Sequence, residues 1–93
     1  MKKNGMLILA QVDHLTGEEL GYAIDQIIAR GAENVYVLPG ITKKSRSGCL
    51  LLLDIDPAKE ADWASFLAEE FSIFGYHQIQ TCHYCTPQTL KCV

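Results

Sequence analysis

The chain has 93 residues, eight Lys and Arg against eleven Asp and Glu, a formal net charge of −3, and an apolar content of 48%. That apolar share is too high for a disordered chain, and the acidic balance excludes a general nucleic-acid binder, which shows a basic excess. The length predicts one domain over residues 1–93, able to bury roughly 60–65% of its unfolded surface.

The first apolar run, Met6 to Ala10, follows two lysines but is shorter than the ~7–15 residues of a secretory h-region. No stretch approaches the ~20 apolar residues of a membrane span. The expected location is therefore the cytoplasm, with no membrane partner. Cys49, Cys82, Cys85 and Cys92 are accordingly read as reduced thiols.

In chain order, Met6–Asp13 (MLILAQVD) predicts a central strand. Thr16-Gly-Glu-Glu19 fits a capping box, with the Thr hydroxyl and the Glu carboxylate each satisfying a backbone N–H. The helix beyond it sets Leu20, Ile24, Ile27 and Ile28 on one face and stops at Gly31. Asn34–Leu38 predicts a second strand, ended or bent by Pro39-Gly40. Cys49–Ile55 (CLLLLDI) predicts a third strand, apolar on both faces.

Asp56-Pro57 then reads as an N-cap followed by proline at the first helical position. Trp63, Phe66, Phe71 and Phe74 supply core positions, and Gly75 closes the helix. Tyr76–Tyr84 predicts a polar fourth strand near an edge, and residues 86–93 a loose tail.

The order βαββαβ predicts an α+β, ferredoxin-like fold: a four-stranded antiparallel sheet with two helices on one face. A sheet covered on one side should alternate apolar with polar residues. Leu50 to Leu53 do not alternate, so the second face of that strand is expected to meet another copy of the chain in a homo-oligomer.

Three stretches carry candidate chemistry. Lys43, Lys44 and Arg46, three of the eight basic residues, crowd one turn beside Ser45, Ser47 and Gly48. Such a turn suits phosphate oxygens, with Arg46 as a fork and the lysines as point charges. It equally suits a solvated hairpin whose lysines protect an edge. Asp13 and His14 close the first strand beside Glu18 and Glu19, offering oxygen and imidazole ligands to a divalent metal ion, or simply capping a helix. Cys82-His-Tyr-Cys85 has the spacing of a metal half-site or redox pair. In an extended strand, however, its two thiols point to opposite faces, which favours incidental thiols.

Over residues 12–48, Val12-Asp13-His14-Leu15-Thr16, Glu18 through Ala23, Gly31-Ala32 and Lys43-Lys44-Ser45-Arg46-Ser47-Gly48 occur in sequence. In that order they resemble the C-terminal domain of the LarC nickel-insertion proteins. That family carries Ile-Asp-Asp-Met-Thr-x-Glu-x-Leu-Gly-Tyr-Ala, Gly-Ala before a strand, and Lys-Lys-Gly-Arg-Pro-Gly. The resemblance implies a nucleotide-handling domain of a CTP-dependent nickel-insertion protein, working with Mg or Mn and assembling as an oligomer. It makes Lys43, Lys44 and Arg46 the nucleotide contacts and Asp13 a metal contact, with His14 beside it a metal candidate on its own chemistry. His14 stands where the family has a second Asp, and Ser45 and Ser47 stand where it has Gly and Pro. The larger N-terminal part of the family is missing from these 93 residues, so a separate chain carrying it is the expected partner. The alternative is a non-enzymatic ferredoxin-like oligomerisation or regulatory module that has lost the chemistry; a metal-trafficking role for His14, His77, Cys82 and Cys85 is a third reading.

Overall fold

A computed structural model describes residues 2–42 and 46–87, with only the backbone described at Lys2, Ile41, Thr42, Arg46 and Ser47. Four strands and two α-helices form: β1 (Lys2–Gln11), α1 (Gly17–Ala29), β2 (Asn34–Thr42), β3 (Arg46–Ile55), α2 (Glu60–Phe71) and β4 (His77–Tyr84). The strands form one sheet in the order β2-β3-β1-β4, with every neighbouring pair antiparallel. This is the ferredoxin-like α+β arrangement expected from the element order.

β1 is central, and its alternate residues decide the layers. Met6, Ile8, Ala10 and Val12 are buried, as are Leu51, Leu53 and Ile55 of β3. Both sets face the helices, where Ala23, Ile27, Trp63, Phe66, Leu67 and Phe71 meet them. β1 starts earlier than Met6 because Lys2 to Leu9 pair with Tyr84 to His77 of β4. β2 runs past Pro39 to Thr42. Proline is tolerated there because β2 is an edge strand and need not donate on both sides.

The expected capping box is present. The Thr16 hydroxyl accepts from the Glu19 N–H at 3.2 Å, and the Glu19 carboxylate accepts from the Thr16 N–H at 2.8 Å. These bonds hold the Glu19 carboxyl below its ordinary pKa, Thr16's backbone N–H first and its hydroxyl second. At the other end Gly31 takes φ +105°, and the N–H groups of Gly31 and Ala32 return to the carbonyls of Ile28 and Ile27. That is the two-bond Schellman closure. The buried stripe is centred on Ala23 and Ile27, while Ile28 is 50% exposed.

α2 departs more from expectation. Asp56 accepts from the Ala58 N–H at 3.0 Å, but it caps a 3-10 turn, Pro57–Lys59, before the α-helix begins. The helix ends at Ser72, φ 55°, rather than at Gly75. Ser72 and Ile73 donate to the carbonyls of Ala68 and Leu67. The early stop turns Ile73 into the core, and Phe74, expected there, is 82% exposed. Phe66 meets Trp63 and Phe71 edge to face at 5.8 and 5.5 Å, and Arg30 lies 4.3 Å above its ring.

No helix among the described residues is long and apolar enough to cross a membrane. Among the described residues, nothing covers the second sheet face. Leu50 and Leu52 lie there half-buried, while Leu51 and Leu53 go under the helices. The run is therefore apolar on both faces, as its sequence requires. Ser72 holds a left-handed conformation that costs an ordinary L-residue about 1 kcal/mol and glycine almost nothing. Ser72→Gly should raise stability by about 0.5–1 kcal/mol, read as a higher urea midpoint with an unchanged slope.

Candidate functional site

Of the described sequence candidates, Asp13 lies at the end of the sheet where β1 leaves it, beside β3. The Asp13 carboxylate accepts from the Cys49 N–H at 3.0 Å through one oxygen and from the Gln11 side-chain amide through the other. The Val12 N–H donates to the Cys49 carbonyl at 3.0 Å, so two successive residues tie the β1 exit to β3. Three residues upstream of Cys49, Arg46 begins β3 opposite Thr42 of β2. Lys43 and Lys44 lie outside the described residues. At the same end, Leu9, Gln11, Leu50, Tyr76 and His77 border an open cleft of about 600 Å³.

His14 is turned elsewhere. Its Nε2 lies 2.8 Å from the Phe71 carbonyl and so donates to the last turn of α2, satisfying one of the acceptors a helix C-terminus leaves unpaired. Nδ1 is then the nitrogen with a lone pair in the neutral ring. Asp13 and His14 are thus adjacent in sequence but anchored to different elements. Among the described residues, no three His, Cys, Asp or Glu side chains converge as a metal site.

The cysteines do not form the half-site their spacing allowed. Cys82 is an exposed free thiol 3.5 Å from the Asn4 side-chain oxygen. Cys85, expected reduced, is disulfide-bonded. Cys49 remains a free thiol, half-buried beneath Asp13. A trafficking site built from His14, His77, Cys82 and Cys85 is not supported by these positions: His14 is committed to α2, and the Cys85 sulfur is oxidised.

A second charged group, absent from the sequence reading, occupies the opposite end of the open face. Lys3 forms an ion pair with Glu33, and Asp54 lies beside them in a cleft of about 360 Å³ that also takes in Asp56 and His83. Gly5 forms its floor, where a β-carbon would meet the Thr81 hydroxyl at 3.0 Å. Only strand register brings these residues together, since they come from β1, the α1–β2 loop, β3 and β4. The one local signal is Asp54 itself, the carboxylate that interrupts CLLLLDI.

Comparison with known proteins places these features in a family. The nickel insertion protein family matches residues 1–93. The chain belongs to that family. It is 35% identical over 71 residues to a putative nickel insertion protein of Rippkaea orientalis, a match covering 75% of this chain and 17% of the relative. It is 30% identical over 69 residues to the pyridinium-3,5-bisthiocarboxylic acid mononucleotide nickel insertion protein of Geobacillus kaustophilus, covering 74% of this chain and again 17% of the relative. The chain therefore spans about a sixth of the length of these nickel insertion proteins. In structure it resembles the apo form of LarC2, the C-terminal domain of a cyclometallase involved in synthesis of the NPN cofactor of lactate racemase. The TM-score is 0.83 at 24% identity, over 90% of this chain and 58% of that one. A protein from Methanopyrus kandleri shares the fold with a TM-score of 0.71, also at 24% identity, over 87% and 53% of the two chains.

Within this family fold, Asp54 is the described carboxylate pushed above its ordinary value of 3.8. Burial is the main cause and Glu33 the second, while Lys3, His83 and an Asn34 hydrogen bond pull the other way. The folded protein thus holds the Asp54 proton more tightly than the unfolded chain. The stability this contributes is complete below 3.8 and is lost as pH rises through the raised folded value, so the ionised carboxylate is a liability at neutral pH. Asp54→Asn should raise the urea midpoint at neutral pH, and the gain should vanish below the ordinary carboxylate range.

Proposed function

We propose that this chain is an accessory domain of nickel insertion that binds the phosphates of a nucleotide together with a divalent cation. In this reading Lys43, Lys44 and Arg46 hold the phosphates, and Asp13 with His14 holds the cation. The observation that carries it is the 3.0 Å bond from the Cys49 N–H to the Asp13 carboxylate. That bond ties the acidic exit of β1 to β3, the strand that follows the basic turn in sequence, which supports a phosphate and its cation being held near each other.

The Asp13 carboxylate suits a hard cation that shares its shell with the ligand, and the softer imidazole of His14, tied to α2, would reach it only through Nδ1. Each Asp13 oxygen accepts one hydrogen bond and retains further lone-pair capacity, and His14 offers Nδ1 while Nε2 is engaged. Mg or Mn bound by one or two protein groups completes its coordination with phosphate oxygens and water. Such an ion would neutralise phosphate charge, and the protein's share is to position it. The name of the Geobacillus relative makes a mononucleotide the recipient of nickel. The resemblance to the LarC family makes CTP the nucleotide to test. Nickel is cargo in this scheme. The chain spans 17% of those relatives, and in this reading it acts in the cytoplasm together with the region that the rest of their length supplies.

A second reading, a non-enzymatic oligomerisation or regulatory module, is favoured by the half-exposed leucines on the uncovered sheet face. Calorimetric titration of the 93-residue chain with CTP, in magnesium and then manganese, separates the two. Saturable heat is expected, and Lys43→Ala/Lys44→Ala should weaken binding at least tenfold, since charge-assisted bonds contribute about 1.5–3 kcal/mol each. No heat with either metal would overturn the nucleotide reading.

A further inference from the structure

We propose that the groove between the start of α1 and the end of α2 docks a basic segment of a partner protein, with an arginine side chain entering between Glu18, Glu70 and the Tyr22 ring. This goes beyond nucleotide binding and does not depend on it.

Two contacts bring these helix ends together. His14 reaches the Phe71 carbonyl, and the rings of Tyr22 and Phe71 meet edge to face, with centroids 6.4 Å apart and 70° between their planes. Beside them lies an open cleft of about 380 Å³. Leu15, Tyr22 and Phe71 give it apolar walls, and Glu18, Glu19 and Glu70 give it carboxylates. Tyr22 is 57% exposed, and Phe74, which leaves α2 at the same end, is 82% exposed. An aromatic ring half in water, with a hydroxyl that can remain hydrated, is the kind of anchor that interfaces favour.

Charge selects the occupant. The two helices carry seven carboxylates, three in α1 and four in α2, and no Lys, Arg or His. Two of the seven have partners in the fold: Glu19 closes the capping box, and Glu60 accepts from Tyr76 and Gln78. The others meet no cation among the described residues, where Lys3 and Glu33 form the ion pair. Glu69 and Glu70 stand in the last turn of α2, where the helix dipole disfavours negative charge, so helix stability does not account for them. Glu18, Tyr22 and Asp25 follow at i, i+4 and i+7, one stripe of α1, so the charge continues along the helix beyond the groove. A single small cation would answer one of these groups, whereas a protein segment with spaced cations answers the stripe. Phosphate groups are repelled by such a surface. Arginine suits the groove better than lysine, because a planar guanidinium stacks on a ring while forking to carboxylates. The chain already makes the stacking half of that contact, with Arg30 4.3 Å above the Phe66 ring.

Fluorescence anisotropy on the full chain without nucleotide tests this, with a rhodamine-labelled peptide of alternating arginine and leucine as the probe. Saturable binding is expected, weakening as salt is raised. Glu18→Gln/Glu70→Gln should weaken it at least about tenfold, because two charge-assisted contacts are lost. Tyr22→Ala should weaken it about threefold through the lost ring face. Both variants should keep the wild-type circular dichroism spectrum. Glu33→Gln/Asp54→Asn, which removes two carboxylates at the other cleft, should leave binding unchanged. No saturable binding up to about 1 mM peptide, or an equal loss from either pair of substitutions, would overturn the proposal. Displacement of the peptide by free argininamide at equal concentration would overturn it too, by making the groove a pocket for small cations. Since nucleotide is left out, a failed CTP titration does not bear on the result.

Discussion

Everything in this fold depends on β1 being paired on both sides and covered on one. With β3 and β4 flanking it, its backbone groups are satisfied along the sheet, and its side chains must divide between two faces. Met6, Ile8, Ala10 and Val12 take the helix side. A slip of one residue would send this set to the open face and bring Leu7, Leu9 and Gln11 under the helices. Because β3 obeys the same parity through Leu51, Leu53 and Ile55, the two central strands fix each other's register. The charged groups at both ends of the sheet inherit their positions from that register.

The open face is the unresolved half of this arrangement. A one-sided sheet normally shows polar residues to water. Here the outward positions of β1 and β3 are Leu7, Leu9, Leu50 and Leu52, and no part of the described chain lies over them. Burying an apolar side chain is worth about 1.5–3 kcal/mol. Several leucines left half-covered therefore represent a free-energy gain available to whatever docks there. The placement of Asp54 among them is harder to explain by stability alone, since its carboxylate is partly desolvated beside Glu33. A charge retained at such a position orients a contact more than it strengthens one.

Legibility in the sequence tracked how local each determinant was. The capping box at Thr16 and Glu19 and the glycine closure at Gly31 involve residues at most five apart, and both form as their chemistry requires. The order of elements and the sheet topology were legible too, because apolar period and crossover geometry leave few arrangements. Misreadings arose where tertiary packing overrode a local signal. Gly75 looked like the stop for α2, but the chain turns at Ser72 because that turn delivers Ile73 to the core. Phe74, the larger residue, is left in solvent. Pro39 looked like a strand breaker, but its consequences depend on whether the strand lies at an edge.

The candidate site was legible as residue types and not as an arrangement. Lys43, Lys44, Arg46 and Asp13 could be singled out by charge and spacing, yet the bond joining Asp13 to Cys49 crosses 36 positions and rests on the β1–β3 register. His14 shows the same limit from the other side. Its neighbour Asp13 suggested a shared ligand set, but the ring reaches across to the end of α2, a partner 57 residues away. Of the Lys3, Glu33, Asp54 and His83 group only Asp54 left a local mark in the sequence, since four separate elements contribute to it. Glu33, Asp54 and Asp56 thus collect around Lys3 at one end of the sheet through pairing, in a chain whose composition shows only a small acidic excess. A net charge averages over that segregation, whereas a ligand or a second protein surface meets one end at a time. The acidic total and the basic turn are therefore compatible: the sequence sets Lys43, Lys44 and Arg46 at the junction of β2 and β3, while the carboxylate cluster gathers around Lys3 at the start of β1.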